Sequence, residues 1–371
     1  MPLYLTDDQV MLRDTARGFM AQEGAIGKQL RHWRDSGCSD GFGHGLWKQF
    51  AELGFNGILI GEDEGGLGLG HVEAGIVLEE IGRNLTPSPF LTSAVAFVAA
   101  LKGTALGARW YPGIIAGETI AALAVDEGPK HRPEAIAMRA ERSGNGFSLS
   151  GKKQFVVHGA SADVTLVAAT TDEGLTLFAV EKGARGLDVE GVRLADSSVG
   201  ARLTFDGVEV DADAVVGEVG GGGAVLARAL NAGRTGAAAE LVGVGAASMD
   251  MTVDYLKQRK QFGRLIGEFQ ALQYRAAHLY SELEIARAAT MKAQQLLDEG
   301  SAEAEAMVAV AKAKAGRASQ LAVQEGVQMH GGIGMTDEYD IGLYMKRDRV
   351  LNELFGDPAY HANQLARMKG Y

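Results

Sequence analysis

Among the side chains that could do chemistry, Glu240 is the most isolated. It is the only charged residue between Arg234 and Asp250, in the stretch RTGAAAELVGVGAAS. The alanines around it, with Leu241 and Val242, predict a dry setting. Desolvation raises a carboxylate's pKa and suits it to take a proton near neutrality. A buried glutamate paired with an arginine would leave the same trace in the sequence. Asp357 is a second candidate acid, but it lies in a Gly-Asp-Pro break, where aspartate commonly organises its own backbone. Arg234 offers a guanidinium fork for an anionic ligand or for a buried acid. The eight histidines show no metal-ligand spacing. The run HGGIGM (330–335) reads as a helix-terminating turn. Gly220–Gly223 reads as an interdomain linker, because no strand precedes it and no acid follows at the distance a dinucleotide fingerprint needs.

The elements that must position these groups fall into three zones. Residues 1–117 carry helical periodicity, as in LTDDQVMLRDTARGFMAQE, with Thr6 as N-cap, two acids in the first turn and apolar Val10, Leu12, Ala16 and Phe19. Residues 118–222 hold short alternating segments (FSLSGKKQFVVHG, DVTLVAATT, LTLFAVEKG, LDVEGVRL, ARLTFDGVEV) separated by turn residues, the pattern of a small antiparallel barrel or sandwich. Residues 223–371 return to long helices that predict a four-helix-bundle-type domain. The expected class is α+β, in the order α, β, α. Gly236, Gly243 and Gly245 each cost on the order of 1 kcal/mol inside a helix. A ligand or another helix must therefore approach that face closely.

Composition narrows the function classes. With 371 residues, 46% of them hydrophobic, the chain is long enough for two or three packed domains. A net charge of −11 argues against general nucleic-acid binding. No apolar run reaches the roughly 20 residues of a membrane span. MPLYLTDDQVMLRD lacks the basic and apolar regions of a signal peptide. A single cysteine, Cys38, fits a reducing cytoplasm.

Five stretches in register carry a resemblance: GFNGILIGEDEGGLGLG (54–70), LEEIGRNLTPSPFL (78–91), LTFDGVEVDADAVVGE (203–218), RKQFGRLIGEFQ (259–270) and QMHGGIGM (328–335). Together they are similar to the acyl-CoA dehydrogenase family over essentially the whole chain. The resemblance implies a tetrameric, FAD-dependent oxidoreductase of fatty acid or steroid side-chain catabolism. Such an enzyme dehydrogenates an acyl-CoA thioester at its α and β carbons and passes electrons to an electron-transfer flavoprotein. It also implies that the flavin lies between the β domain and the C-terminal bundle, completed by a neighbouring subunit. Arg259 matches the family arginine that reaches the FAD pyrophosphate, with Phe262 beside it. Gln270, Gln328, Gly331 and Gly332 match further FAD contacts. Phe155 and Val157 fall at the family's aromatic and flavin-N5 positions. Arg234 matches a substrate-binding arginine.

The departures are as specific as the matches. The two positions where relatives keep the base are Gly233 and Gly356 here, which leaves Glu240 as the catalytic candidate. The flavin- and CoA-contacting loop reads VDEGPKHRP (125–133). The chain resembles one partner of the paired chains that act on bulky steroid side-chain thioesters. Three assemblies stay open: a self-sufficient homo-oligomer, one chain of a hetero-oligomeric dimer of dimers, and a non-catalytic structural subunit.

Overall fold

The computed structural model describes residues 3–371. Eleven α-helices occur among them. Helix α1 (Asp7–Gln22) opens on Thr6, whose hydroxyl accepts from the Gln9 amide while the Gln9 side chain accepts from the Thr6 amide. Then come α2 (Leu30–Asp35), α3 (His44–Glu52), α4 (His71–Asn84), α5 (Val98–Leu101) and α6 (Leu106–Ile115). After the strands follow α7 (Gly222–Gln258), α8 (Gln270–Asp298), α9 (Ala304–His330), α10 (Ile341–Glu353) and α11 (Pro358–Met368). The chain divides into two compact units. One comprises the segment ending at Lys28, His71–Thr86 and Arg234–Tyr371; the other comprises Gln29–Gly70 and Pro87–Gly233.

The first unit is helical. Helix α8 packs along α9, and α10 and α11 pack on α9 as well. The close neighbour that the α7 glycines require is a helix. A Cβ on Gly82 of α4 would lie 2.1 Å from the Glu240 carbonyl oxygen, and one on Gly243 would lie 2.0 Å from that of Glu79. Two backbones can meet this closely only where side chains are absent. The hairpin β8 (Lys260–Gln261) and β9 (Arg264–Leu265) follows α7 in the same unit.

The second unit is built on a seven-stranded sheet. Its strands are β1 (Ala121–Ala124), β2 (Arg139–Ser143), β3 (Gly146–Val157), β4 (Val164–Thr171), β5 (Gly174–Glu181), β6 (Leu187–Arg193) and β7 (Val199–Val210). The order is β1-β4-β2-β3-β7-β6, with β5 paired to β4. Phe147, Leu149, Val156, Phe178 and Phe205 form its core. The five alternating segments of the sequence are β3 to β7. Strands β1 and β2 are not among them, because AALA is buried throughout and so shows no alternation, whereas RAERS is mostly polar. Both pair with β4 in parallel, so the sheet is mixed and not purely antiparallel. Gly220–Gly223 is likewise no free linker. Gly220 takes a φ of +77° and packs on the Glu173 carbonyl, and Gly222 packs on Leu175 as α7 begins.

Candidate active site and its neighbours

Glu240 is as dry as its sequence context predicts, at 1% exposure. Its carboxylate is engaged. Arg347 of α10 donates from Nε (2.8 Å) and Nη2 (2.6 Å) to the same Oε1. Glu240 is therefore half of a buried ion pair.

Arg234 lies on the same helix and is also buried. Its Nε donates to the Phe355 carbonyl at 3.2 Å, and its guanidinium lies over the Tyr360 ring at 5.6 Å. The carbonyl it holds belongs to the break between α10 and α11, where one of the two family base positions falls. That break is closely filled. Phe355 and Gly356 take φ of +59° and +106°, and a Cβ on Gly356 would lie 2.5 Å from Tyr360 Cδ1 and 3.0 Å from His361 Nε2. His361 Nε2 donates to Phe355 O at 3.1 Å. Asp357 caps α11 by accepting from the Tyr360 amide at 2.7 Å, the backbone role its Gly-Asp-Pro setting predicts.

Lys312, wholly buried on α9, completes this corner. Its Nζ donates to the carbonyls of Leu351 (2.9 Å), Asn352 (3.2 Å) and Gly356 (3.1 Å). Three acceptors match the three protons of an ammonium. Burial pushes the Lys312 pKa down to about 7, opposed by the carboxylate of Asp348. Burial in turn pushes Asp348 up to about 6, against the lowering effect of its polar neighbours and of the Lys312 ammonium. Nothing in the local sequence AKAKAGR marks Lys312 as different from Lys314, whose Nζ pairs with Glu282.

The residues matched to the nucleotide gather in two places of the first unit. Arg259 follows α7 directly, and its carbonyl accepts from the Ile266 amide at 2.9 Å, which ties it to the hairpin. Phe262 sits at the hairpin tip with a φ of +52° and is 90% exposed. Gln270 is the exposed first residue of α8. Gln328, Gly331 and Gly332 end α9. Gly331 takes a φ of +63°, and a Cβ on either glycine would meet nothing within 4 Å. A residue missed in the sequence joins the two places. His330, two residues after Gln328, stacks on Tyr255 (centroids 4.5 Å apart), and the Tyr255 carbonyl accepts from the Arg259 amide at 2.9 Å. His330 Nδ1 donates to Gly326 O at 2.7 Å.

Phe155 and Val157 belong to the second unit, at the end of β3. Phe155 carries a φ of +53° and Val157 is buried. The loop before β2 is stitched from within. Asp126 accepts from His131 Nδ1 (3.0 Å) and from the Arg132 amide (3.2 Å). Glu127 accepts from the amides of Ala137 (2.9 Å) and Met138 (3.0 Å) and from Lys153 Nζ (2.8 Å). Burial acts to raise the pKa of Glu127, but the Lys153 ammonium and the two amides outweigh it and hold the carboxyl below its ordinary range. Both acids of the loop thus satisfy their own backbone. Among the described residues no His, Cys, Asp and Glu cluster could hold a metal, and no helix is long and apolar enough to cross a membrane.

Comparison with known proteins fits this arrangement. The acyl-CoA dehydrogenase N-terminal domain profile matches residues 6–118, and the C-terminal domain profile matches residues 220–369. The isovaleryl-CoA dehydrogenase of Solanum tuberosum is 32% identical over 327 residues, covering 83% of this chain and 78% of its own. The cyclohex-1-ene-1-carbonyl-CoA dehydrogenase of Geobacter metallireducens is 30% identical, covering 98% of this chain and 97% of its own. Among solved structures, a single-substitution variant of the Tcur3481-Tcur3483 steroid ACAD superposes with a TM-score of 0.90 at 30% identity over 98% of each chain. The ChsE4-ChsE5 complex of Mycobacterium tuberculosis superposes with a TM-score of 0.92 at 25% identity, covering 100% of this chain and 99% of that one. The chain belongs to the acyl-CoA dehydrogenase family, whose members are FAD-dependent oxidoreductases.

Proposed function

We propose that this chain serves the α,β-dehydrogenation of a bulky acyl-CoA thioester as one subunit of a heteromeric enzyme. It contributes nucleotide-binding surface, and a related partner chain supplies the base. The observation that carries this reading is the state of the carboxylate positions. Gly356 has no room for a side chain, Gly233 has none, and Glu240 is held by Arg347. The steroid enzyme and the two-protein complex among the similar structures support a paired assembly and a polycyclic acyl group.

The residues present fit a dinucleotide. Among the described residues Arg259 has no ion-pair partner, and its planar fork suits phosphate oxygens. Gly331 and Gly332 leave open space where a backbone could approach a diphosphate. Bound flavin would supply hydride acceptance from the β-carbon, with the electrons then leaving to an electron-transfer flavoprotein. In this reading Arg259 orients the diphosphate, Phe262 covers it across the subunit boundary, and the His330–Tyr255 stack fixes the two binding segments relative to each other. Arg234 holds the Phe355 corner rather than the thioester.

Glu240→Gln tests the division of labour. A general base contributes roughly 10²- to 10⁴-fold. The proposed assembly keeps its turnover within about twofold while losing thermal stability, because the substitution breaks a buried ion pair. A loss of turnover of a hundredfold or more, with flavin content unchanged, makes Glu240 the base and overturns the assignment of the base to the partner chain. Expression alone and with candidate partner chains, read by flavin absorbance, supplies the second arm. Flavin retained by the chain alone and bleached by an acyl-CoA contradicts the heteromer.

A further inference from the structure

The end of β3, in the second unit, is backbone held under strain. Among the described residues six that are not glycine take a positive φ, and two of them, Phe155 (+53°) and His158 (+60°), flank Val156–Val157. Such conformations are costly and persist only where the surroundings over-determine them, commonly at functional sites. The surroundings here include a π-helical segment, Phe90–Phe97, in which every residue is buried. Segments of that kind are rare and also favour functional sites. We infer that Thr92 of this segment and His158 are positioning residues for the flavin, acting through Val157 between the two strained positions.

Two adjacent polar side chains of the π-helical segment grip two strands. Thr92 Oγ1 lies 3.0 Å from His158 Nδ1 and 3.1 Å from the Pro89 carbonyl oxygen. Both contacts are satisfied when the hydroxyl proton goes to the carbonyl, which can only accept, and His158 Nδ1–H donates to Thr92. Ser93 Oγ donates to the Ala121 carbonyl at 3.1 Å and accepts from the Ala121 amide at 2.8 Å, where β1 begins. His158 is buried, meets the Phe42 ring edge-on at 5.5 Å between centroids, and its amide donates to Val199 O at 3.1 Å. The loop after β1 is sewn to the same stretch of β3. The Gln154 amide donates to Asp126 O at 2.7 Å, and Lys153 Nζ donates to Val125 O at 3.0 Å. The inference rests on the reading of this chain as a flavin-binding subunit, with Val157 beside the ring as its match implies. Valine has no side-chain donor, so Val157 presents only backbone and methyl groups. Their placement follows the backbone angles on either side, and the Thr92–His158 bond holds one of those sides.

Thr92→Val in the native assembly removes the hydroxyl and keeps the shape. FAD titrated into the flavin-depleted assembly, below its melting range, should bind about tenfold more weakly. The visible absorbance band of the flavin that does bind should change in position or fine structure. His158→Phe, which keeps a ring on Phe42 without the Nδ1–H, should do the same, and the double variant should do no more than either. His158→Asn should bring both readouts to within about twofold of the parent, because its amide nitrogen reaches the place of Nδ1 and asparagine tolerates a left-handed backbone. A Thr92→Val assembly that melts lower but keeps the parental affinity and spectrum overturns the inference, since the pair then serves only the fold. Additive effects in the double variant, or no rescue by asparagine, overturn it as well. If Thr92→Val does not fold, the contrast between His158→Phe and His158→Asn decides. Absence of flavin from the parental assembly overturns the flavin-binding reading and this inference with it. Flavin bound by the parent and indifferent to every variant overturns this inference alone.

Discussion

At the scale of single residues, the buried charges around the Phe355 corner govern how stability responds to pH. Lys312 titrates near 7 in the folded chain against an ordinary 10.5. Between these values the unfolded chain binds more protons, so stability rises with pH across that window. Below it, both states are protonated and the folded one carries the full cost of a buried cation. Above it, both are neutral. Asp348 acts in the opposite sense lower down. Its folded pKa of about 6 against 3.8 means that folding retains a proton the unfolded chain has released, so stability falls as pH climbs through that interval. The contribution of the pair is lowest near pH 6–7. The charges that act on Lys312 come from α7, α10 and the cap of α11: Arg234, Asp348, Glu353 and Asp357. Denaturant titrations at pH 7 and 10 should show most of the rise, up to about 3.5 kcal/mol between those two values. Lys312→Met should flatten it; an unchanged slope in that variant would assign the pH response to other groups. None of this was legible in the sequence. Nor was the partner of Glu240, because Arg347 lies over a hundred positions away and only the fold brings the two together. The dryness of Glu240 could be read from its alanine neighbours, a local property.

At the scale of elements, periodicity and capping disclosed more than they concealed. The Thr6 cap, the long helices and the five alternating strands all follow from neighbours within a few residues. Strands β1 and β2 escaped because their pairing to β4 is set by the sheet and not by their own pattern. The α7 glycines signalled a close approach without naming the neighbour. That neighbour is α4, and the crossing can be tested by sign. Gly82→Ala and Gly243→Ala should each destabilise by about 1–3 kcal/mol, since the added methyl meets rigid backbone and overpacking outweighs the gain in helix propensity. Gly18→Ala, at an exposed position in α1 where a Cβ meets nothing within 4 Å, should instead stabilise by roughly 0.5–1 kcal/mol. Thermal melts of the three variants give the answer. A stabilising Gly243→Ala would mean that the two helices can separate at little cost.

At the scale of the whole molecule, membership of the family was legible because five motifs in register are a collinear signal. The division of labour between subunits was not, since it depends on what a second chain provides. The hairpin tip bears most directly on that question. Phe262 presents a ring that is 90% exposed on a left-handed backbone, and its ring contact among the described residues is an edge-on approach to Phe269 at 6.3 Å. A non-glycine residue held at positive φ costs on the order of 1 kcal/mol or more. Folding of this chain alone therefore gains little from Phe262, and the gain must come from what covers it. Arg259, exposed in the same segment, is in the same position. Phe262→Ala and Arg259→Gln should leave the melting temperature of the isolated chain within about a degree of the parent. In the assembled enzyme both should lower flavin content several-fold, and Phe262→Ala should also weaken subunit association. Sedimentation and flavin absorbance on the same samples separate the two effects. If the isolated chain melts markedly lower in either variant, these residues stabilise their own fold; if flavin content and association are both unchanged, the hairpin does not face the nucleotide of a neighbouring subunit.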